Sequence, residues 1–286
     1  MAQEKTAWVL AGGGSLGAVQ VGMLQALAEA GEQPDLILGA SVGAINSAYF
    51  SAFPTVAGAQ QLLQIWASLR REDVFPLTLF SGLRALWSRQ GHLLEPDALQ
   101  RLIARALPFE RIEQAGIPLH IMTTDLLTGA EVLLSDGPAA SALLASAAIP
   151  VVFPSVRRGE HWLVDGSVAC NTPIASAISL GATRIVVLPT GFGCASAVAP
   201  SSLSGRALHV VNLLSMRQLV RDVGLYQQQV HIVIVPSLCP LNVSVFDFSQ
   251  TTEMAARACE QTRAWLAQDG LAQTGIPMAL QAHHHG

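Results

Sequence analysis

From Leu36 to Leu69 the chain contains no Lys, Arg, Asp or Glu. So long a charge-free run belongs in a protein core or in a bilayer. A membrane-spanning helix is the simpler assignment, but Gly39, Gly43, Pro54 and Gly58 interrupt the run. The pieces then read as buried parts of an α/β fold. Leu36-Ile37-Leu38 is a short apolar strand, and Ala44 to Phe50 reads as a helix. Between them stands Gly39-Ala40-Ser41-Val42-Gly43. A serine flanked at two residues' distance by glycines, between strand and helix, is the context of a nucleophile elbow. The small residues let strand and helix approach through a sharp turn. The hydroxyl then emerges at the carboxyl end of the strand, where the helix dipole favours negative charge.

One further strand fits before it. Ala7-Trp8-Val9-Leu10-Ala11 leads into Gly12-Gly13-Gly14-Ser15-Leu16-Gly17 and then a helix over 18–30. Three successive glycines expose backbone amides at a helix mouth, where an anion or oxyanion can be held. If the two strands are parallel neighbours, one turn supplies a nucleophile and the other supplies donors for a tetrahedral oxyanion. Gly12, Gly14 and Gly17 also match the dinucleotide fingerprint, which expects an acid at the end of the second strand. Asp35 stands before that strand, at the wrong end.

Length allows one large α/β domain or two small ones. The single-domain reading spans 1–275, with 276–286 as a tail whose His283-His284-His285 run carries no chemistry. Charged residues make up only 13%, against about 25% in typical soluble domains, so apolar surface is left for a homodimer contact or a lipid interface. A net charge of −4 without a basic stripe speaks against nucleic acid. Cys170, Cys194, Cys239 and Cys259 form no C-x-x-C pair and read as reduced thiols of a cytoplasmic protein.

Further along, helices are expected over 56–70, 95–107, 138–148, 172–180, 205–229 and 253–268. Strands are expected over 119–124, 131–134, 151–156, 161–164, 184–188 and 232–235. Such alternation builds a mainly parallel sheet with helices on both faces. Residues 72–94 mix Pro76, Gly82 and Gly91 with Phe75, Phe80, Leu83 and Trp87. The segment suits an acyl-binding lid, and equally a loop packed on the core.

Ser41 needs a base. His92, His120, His161, His209 and His231 all sit in or beside predicted helices and strands, or in surface positions, and read as structural. Asp165 differs, because the apolar strand Trp162-Leu163-Val164 delivers it into Asp165-Gly166-Ser167. A carboxylate held there can act as a general base, the more so where a dry site raises its pKa. Taken alone, a simple Asp-Gly turn is the plainer explanation.

Taken together, Gly12 to Gly17, Gly39 to Gly43 and Asp165-Gly166-Ser167 resemble the three ordered motifs of the patatin-like phospholipases. The resemblance extends to Thr124–Gly129, Ala145–Pro154 and Asn171–Ile174. It implies a three-layer α/β/α fold with a mainly parallel sheet. It also implies a Ser41–Asp165 dyad without histidine, an acyl-enzyme intermediate, lipid ester hydrolysis, and neither metal nor cofactor. The oxyanion donors it implies are the amides of Gly12, Gly13, Gly14 and Val42. Gly17, Gly39, Gly43, Gly166 and Ser167 complete the motifs. Leu16 stands where the family often has Arg or Lys, and Ser167 where it usually has Gly or Ala. The place such an enzyme would occupy is the cytoplasm, with transient contact at the inner membrane face.

Overall fold

The computed structural model describes residues 4–75, 92–191, 203–239, 241 and 243–277. The predicted lid beyond Phe75, the terminal histidine run and Cys194 therefore lie outside the described residues. The first 52 residues alternate strand and helix: β1 (Thr6–Leu10), α1 (Gly17–Glu29), β2 (Leu36–Ala40), α2 (Val42–Ala52). There follow α3 (Val56–Ser68), a short α4 (Arg71–Val74), α5 (Asp97–Ala106), β3 (Leu119–Asp125), β4 (Glu131–Leu134) and α6 (Ala139–Ser146). The chain continues through β5 (Val156–Arg158), β6 (His161–Asp165), α7 (Ile174–Ser179), β7 (Arg184–Leu188), α8 (Leu203–Tyr226), β8 (His231–Ile234) and α9 (Thr251–Leu266).

The eight strands among the described residues join one mixed sheet. Strands β3, β2, β1, β7 and β8 are parallel neighbours, while β4, β6 and β5 enter antiparallel. Strand alternation sorts the apolar side chains between two cores. Trp8, Leu10, Ile37 and Val186 face the layer of α1, α2, α3, α5, α6 and α9. Ala7, Val9, Leu36, Leu38 and Val187 face α7 and α8, through Ile174, Met216, Leu219 and Val223. The charge-free run is thus a buried strand, an elbow, the buried helix α2 and then α3, which buries Ala59, Leu62 and Trp66 and exposes uncharged polar and small residues on its other face. No helix among the described residues is long and apolar enough to cross a membrane.

The site depends on how one strand shares its edges. Strand β3 carries β4 along one edge over Ile121–Thr124. Its other edge is divided: β2 pairs with it up to Ala40 opposite Met122, and β6 takes over with Asp165 opposite Thr123. The last residue of β6 therefore stands one register step beyond the last residue of β2. That step is where Ser41 leaves the sheet.

Two expectations need correction. Strand is present over Val156–Arg158 rather than 151–156. Prolines 150 and 154 bracket the earlier residues, and Val151 adopts φ 71, which a pleated strand forbids. The carbonyls of Val151 and Val152 accept instead from the amides of Leu93 and Leu94. The reading of four reduced thiols is also overturned at one position: Cys170 and Cys259 are free and buried, but Cys239 is disulfide-bonded. Sequence spacing tests only local motifs, and the fold brings distant cysteines together. The cysteines therefore no longer argue for a reducing compartment.

Candidate active site

Ser41 is the N-cap of α2 and has φ 53, a left-handed conformation rare for a residue with a side chain. The flanking glycines explain how the turn is reached. A Cβ on Gly39 would lie 2.5 Å from the Ala44 nitrogen, and one on Gly43 would lie 2.3 Å from the Leu10 carbonyl oxygen. The strained turn is anchored from below. The Ser41 amide donates to Ser146 Oγ at 2.9 Å, and Ser146 Oγ donates to the Met122 carbonyl at 2.6 Å. Ser146 lies inside one of the stretches noted in the sequence, but nothing there discloses its part in holding the elbow.

Ser41 Oγ donates to Asp165 Oδ2 at 2.6 Å, and both residues are buried. The other carboxylate oxygen, Oδ1, accepts the Ser167 amide at 2.8 Å. The Asp165 backbone is fixed as well: its amide donates to the Ala148 carbonyl, and its carbonyl accepts Thr124 Oγ1 at 2.8 Å. Burial pushes the Asp165 carboxyl up to about 6, against the lowering by its bonds to Ser41 and Ser167. A group with that pKa is ionised at neutral pH yet retains enough basicity to take a proton. The histidines do other work. His161 Nδ1 lies 2.7 Å from Asp125 Oδ2, and His120 Nδ1 lies 2.7 Å from Ser135 Oγ.

The glycine loop lies beside this pair. A Cβ on Gly12 would sit 2.1 Å from Ser167 Oγ and 3.1 Å from the Ser41 Cβ. Gly12 is clamped at both ends of its backbone. Its amide donates to Asn171 Oδ1 at 3.0 Å, and its carbonyl accepts Thr190 Oγ1 at 2.7 Å. The expectation that the Gly12 amide faces an oxyanion is therefore corrected, because that donor is already engaged. No protein acceptor takes the amides of Gly13, Gly14 or Val42 among the described residues. Gly14 has φ 59, and a Cβ on it would lie 2.5 Å from the Val245 carbonyl oxygen. Gly17 lets α1 approach α2, since a Cβ there would meet Val42 Cγ2 at 2.5 Å. Gly166 approaches the Met122 carbonyl in the same way, at 2.3 Å. Asp35 accepts the Thr6 amide at the opposite end of the sheet, away from the glycine loop.

A cavity of about 80 Å³ opens from Gly14, Ser41 and Val42. Its walls are apolar: Ile45, Leu62 and Trp66 from α2 and α3, Leu99 and Ile103 from α5, and Phe75, Phe153 and Phe248. Phe75 is buried and packs on the rings of Phe153, Phe246 and Phe248. The one described aromatic residue of the predicted lid is thus a wall of this cavity.

Residues 8–178 match the model of the family described as patatin-like phospholipase. The chain belongs to the patatin-like phospholipase family. Human patatin-like phospholipase domain-containing protein 6 is 28% identical over 188 residues, covering 65% of this chain and 13% of that protein. A Mycobacterium tuberculosis protein described as an uncharacterized NTE family protein is 30% identical over 169 residues, covering 58% of this chain and 27% of its own length. The chain thus spans less than a third of the length of these relatives. A structure of human GIVD cytosolic phospholipase A2 is 13% identical with a TM-score of 0.49, covering 97% of this chain and 60% of that one.

Proposed function

We propose that this patatin-like chain is a serine lipid acyl hydrolase of the phospholipase A or lysophospholipase type. The observation that carries the reading is the 2.6 Å bond from Ser41 Oγ to a buried carboxylate, at the mouth of an apolar cavity. In this reading Ser41 Oγ attacks the ester carbonyl carbon while its proton passes to Asp165 Oδ2. The carbonyl oxygen becomes an oxyanion held by the free amides of Gly13, Gly14 and Val42. Collapse of that intermediate breaks the bond to the alcohol, which leaves with the proton from Asp165. The acyl chain stays on Ser41, lying in the apolar cavity. Water then attacks the acyl-enzyme, giving a proton to Asp165, and the fatty acid leaves as Ser41 regains its hydrogen. No histidine is needed in this reading, because a desolvated carboxyl whose pKa is raised to about 6 has the basicity for both steps.

A fluorophosphonate probe tests the proposal, followed by a lipid ester panel with Ser41→Ala as control. Labelling at Ser41 and release of fatty acid from phospholipid or lysophospholipid are expected. Labelling with turnover only of short soluble esters would place the chain among esterases or acyltransferases. Absence of labelling would leave a protein that binds an acyl ligand without reacting.

A further inference from the structure

Helix α8 (Leu203–Tyr226) presents an exposed apolar stripe. At 100° per residue, Val210, Val211, Leu214, Arg217, Arg221 and Leu225 share one side. Leu214 is 63% and Val210 53% exposed, and Leu225 and Arg217 are exposed as well. The opposite side, with Met216, Leu219 and Val223, is buried against the sheet. Two arginines, too few to stand out as a basic run in the sequence, lie among the apolar residues of the stripe. Arg217 and Arg221 point outward, whereas Asp222, the single acid of the helix, is buried and held by Arg221 at 3.2 Å.

The direction of the helix places the apolar half of this stripe at the site's end of the molecule. After Tyr226 the chain returns to the start of β8, at the amino end of the parallel strands. Gln218 Nε2 donates to the Ala169 carbonyl at 2.9 Å, level with the turn that follows Asp165. The helix residues well before Met216 therefore lead toward the carboxyl end of the sheet, the end at which Ser41 lies. Val168, beside Ala169, is 57% exposed.

We propose that this face of α8 docks on an anionic lipid surface and so brings the chain to lipid; the functional consequence, though not the docking itself, rests on the lipid acyl hydrolase reading. An amphipathic surface with arginines among large apolar side chains fits a lipid interface, where apolar groups enter the acyl boundary and arginines meet phosphate. The overall charge of −4 does not oppose this, because exposed charges act over about one Debye length, roughly 8 Å at physiological salt. The local charge of the stripe therefore decides, and binding weakens as salt rises.

The test is flotation of the full chain with phosphatidylcholine vesicles, with and without phosphatidylglycerol, beside hydrolysis of a short soluble ester. Wild type should float best with the anionic vesicles. The double change V210S/L214S should weaken binding by roughly tenfold or more, since one such side chain leaving water is worth about that factor. Arg217→Gln should weaken binding to anionic vesicles more than to phosphatidylcholine. Soluble ester turnover and thermal unfolding should stay unchanged in all these variants. Undiminished flotation of V210S/L214S would overturn the proposal. So would sedimentation showing a wild-type dimer that this variant splits, which would make the face a protein contact. If Ser41 is not labelled by fluorophosphonate while wild type still floats, the hydrolase reading fails and the docking surface stands.

Discussion

Replacing Asp165 by Asn should abolish hydrolysis and stabilise the fold, by an amount that the burial of the carboxyl sets. The side chain is buried, and its pKa rises from the ordinary 3.8 to about 6. The folded state therefore holds this proton more tightly than the unfolded chain does. Stability contributed by the protonated acid is fully present below about pH 4 and is lost as pH rises through about 6. A rise from 3.8 to about 6 corresponds to about 3 kcal/mol against the folded state at pH 8. Asparagine has nearly the same shape and carries no charge. Its Oδ1 can still accept the Ser167 amide, and its Nδ2 can donate to Ser41 Oγ, so the two side chains stay paired although the Ser41 hydroxyl loses its carboxylate acceptor. At about 2 °C per kcal/mol for a chain of this size, Asp165→Asn should unfold roughly 5 °C above wild type at pH 8. The gap should close by about pH 4. Thermal unfolding of both proteins across that range measures it. An equal or lower unfolding temperature for the variant at pH 8, or a gap that ignores pH, would refute a desolvated carboxylate at this position. It would also remove the support that burial lends to Asp165 as a base.

Other perturbations test the rest of the site. Wild-type turnover should rise with pH through an ionisation near 6, the value that burial gives Asp165, and plateau above it; a limb centred well above 7 would point to a different base. Ser146→Ala should leave the Ser41 amide without its acceptor, lowering stability by about 1–3 kcal/mol in chemical denaturation and lowering kcat with it. Gly12→Ala should lower kcat by roughly 100-fold, because its Cβ falls 2.1 Å from Ser167 Oγ and must tilt the loop that aims the free amides; Ser167→Gly in the same chain should restore part of the loss. Ala106→Trp, in the far wall of the cavity, should reduce turnover of long acyl esters while sparing short ones.

The sequence is most legible where backbone geometry dictates residue type. Gly39, Gly43, Gly12 and Gly14 stand where a Cβ would collide with backbone or neighbouring side-chain atoms, so their spacing discloses both turns. Parallel strands buried on both faces likewise show as apolar runs, which is why β1, β2 and β7 can be placed to within a residue or two. Features made by tertiary contact leave no such trace. Nothing in Ala145-Ser146-Ala147 shows that a hydroxyl holds the Ser41 amide, nor in Asn171 that its side chain occupies Gly12. The apolar composition of 151–156 resembles a strand, but the flanking prolines and the positive φ of Val151 decide otherwise. The partner of a cysteine is a property of the fold and not of its spacing, so spacing alone gives Cys239 wrongly as a reduced thiol.

The register of one strand edge explains why a carboxylate alone is held so well. Strand β2 ends opposite Met122, and β6, running the other way, ends opposite Thr123. Ser41 and Asp165 therefore leave the sheet at adjacent positions on the same edge of β3, from chains approaching in opposite directions. Strand side chains alternate between faces, so sliding β6 by one residue would turn Asp165 away and bring Val164 toward the elbow. Two bonds resist that slip: Thr124 Oγ1 to the Asp165 carbonyl, and the Asp165 amide to the Ala148 carbonyl. The hydroxyl of Thr124 also accepts the Ala169 amide, tying the turn after Asp165 to the same strand. The two destabilising features of the site, the left-handed Ser41 and the desolvated Asp165, are thus both fastened to β3, one through Ser146 and the other through Thr124. The 2.6 Å contact is thus kept by strand register together with the side chains of Thr124 and Ser146, and the sheet carries both fastenings.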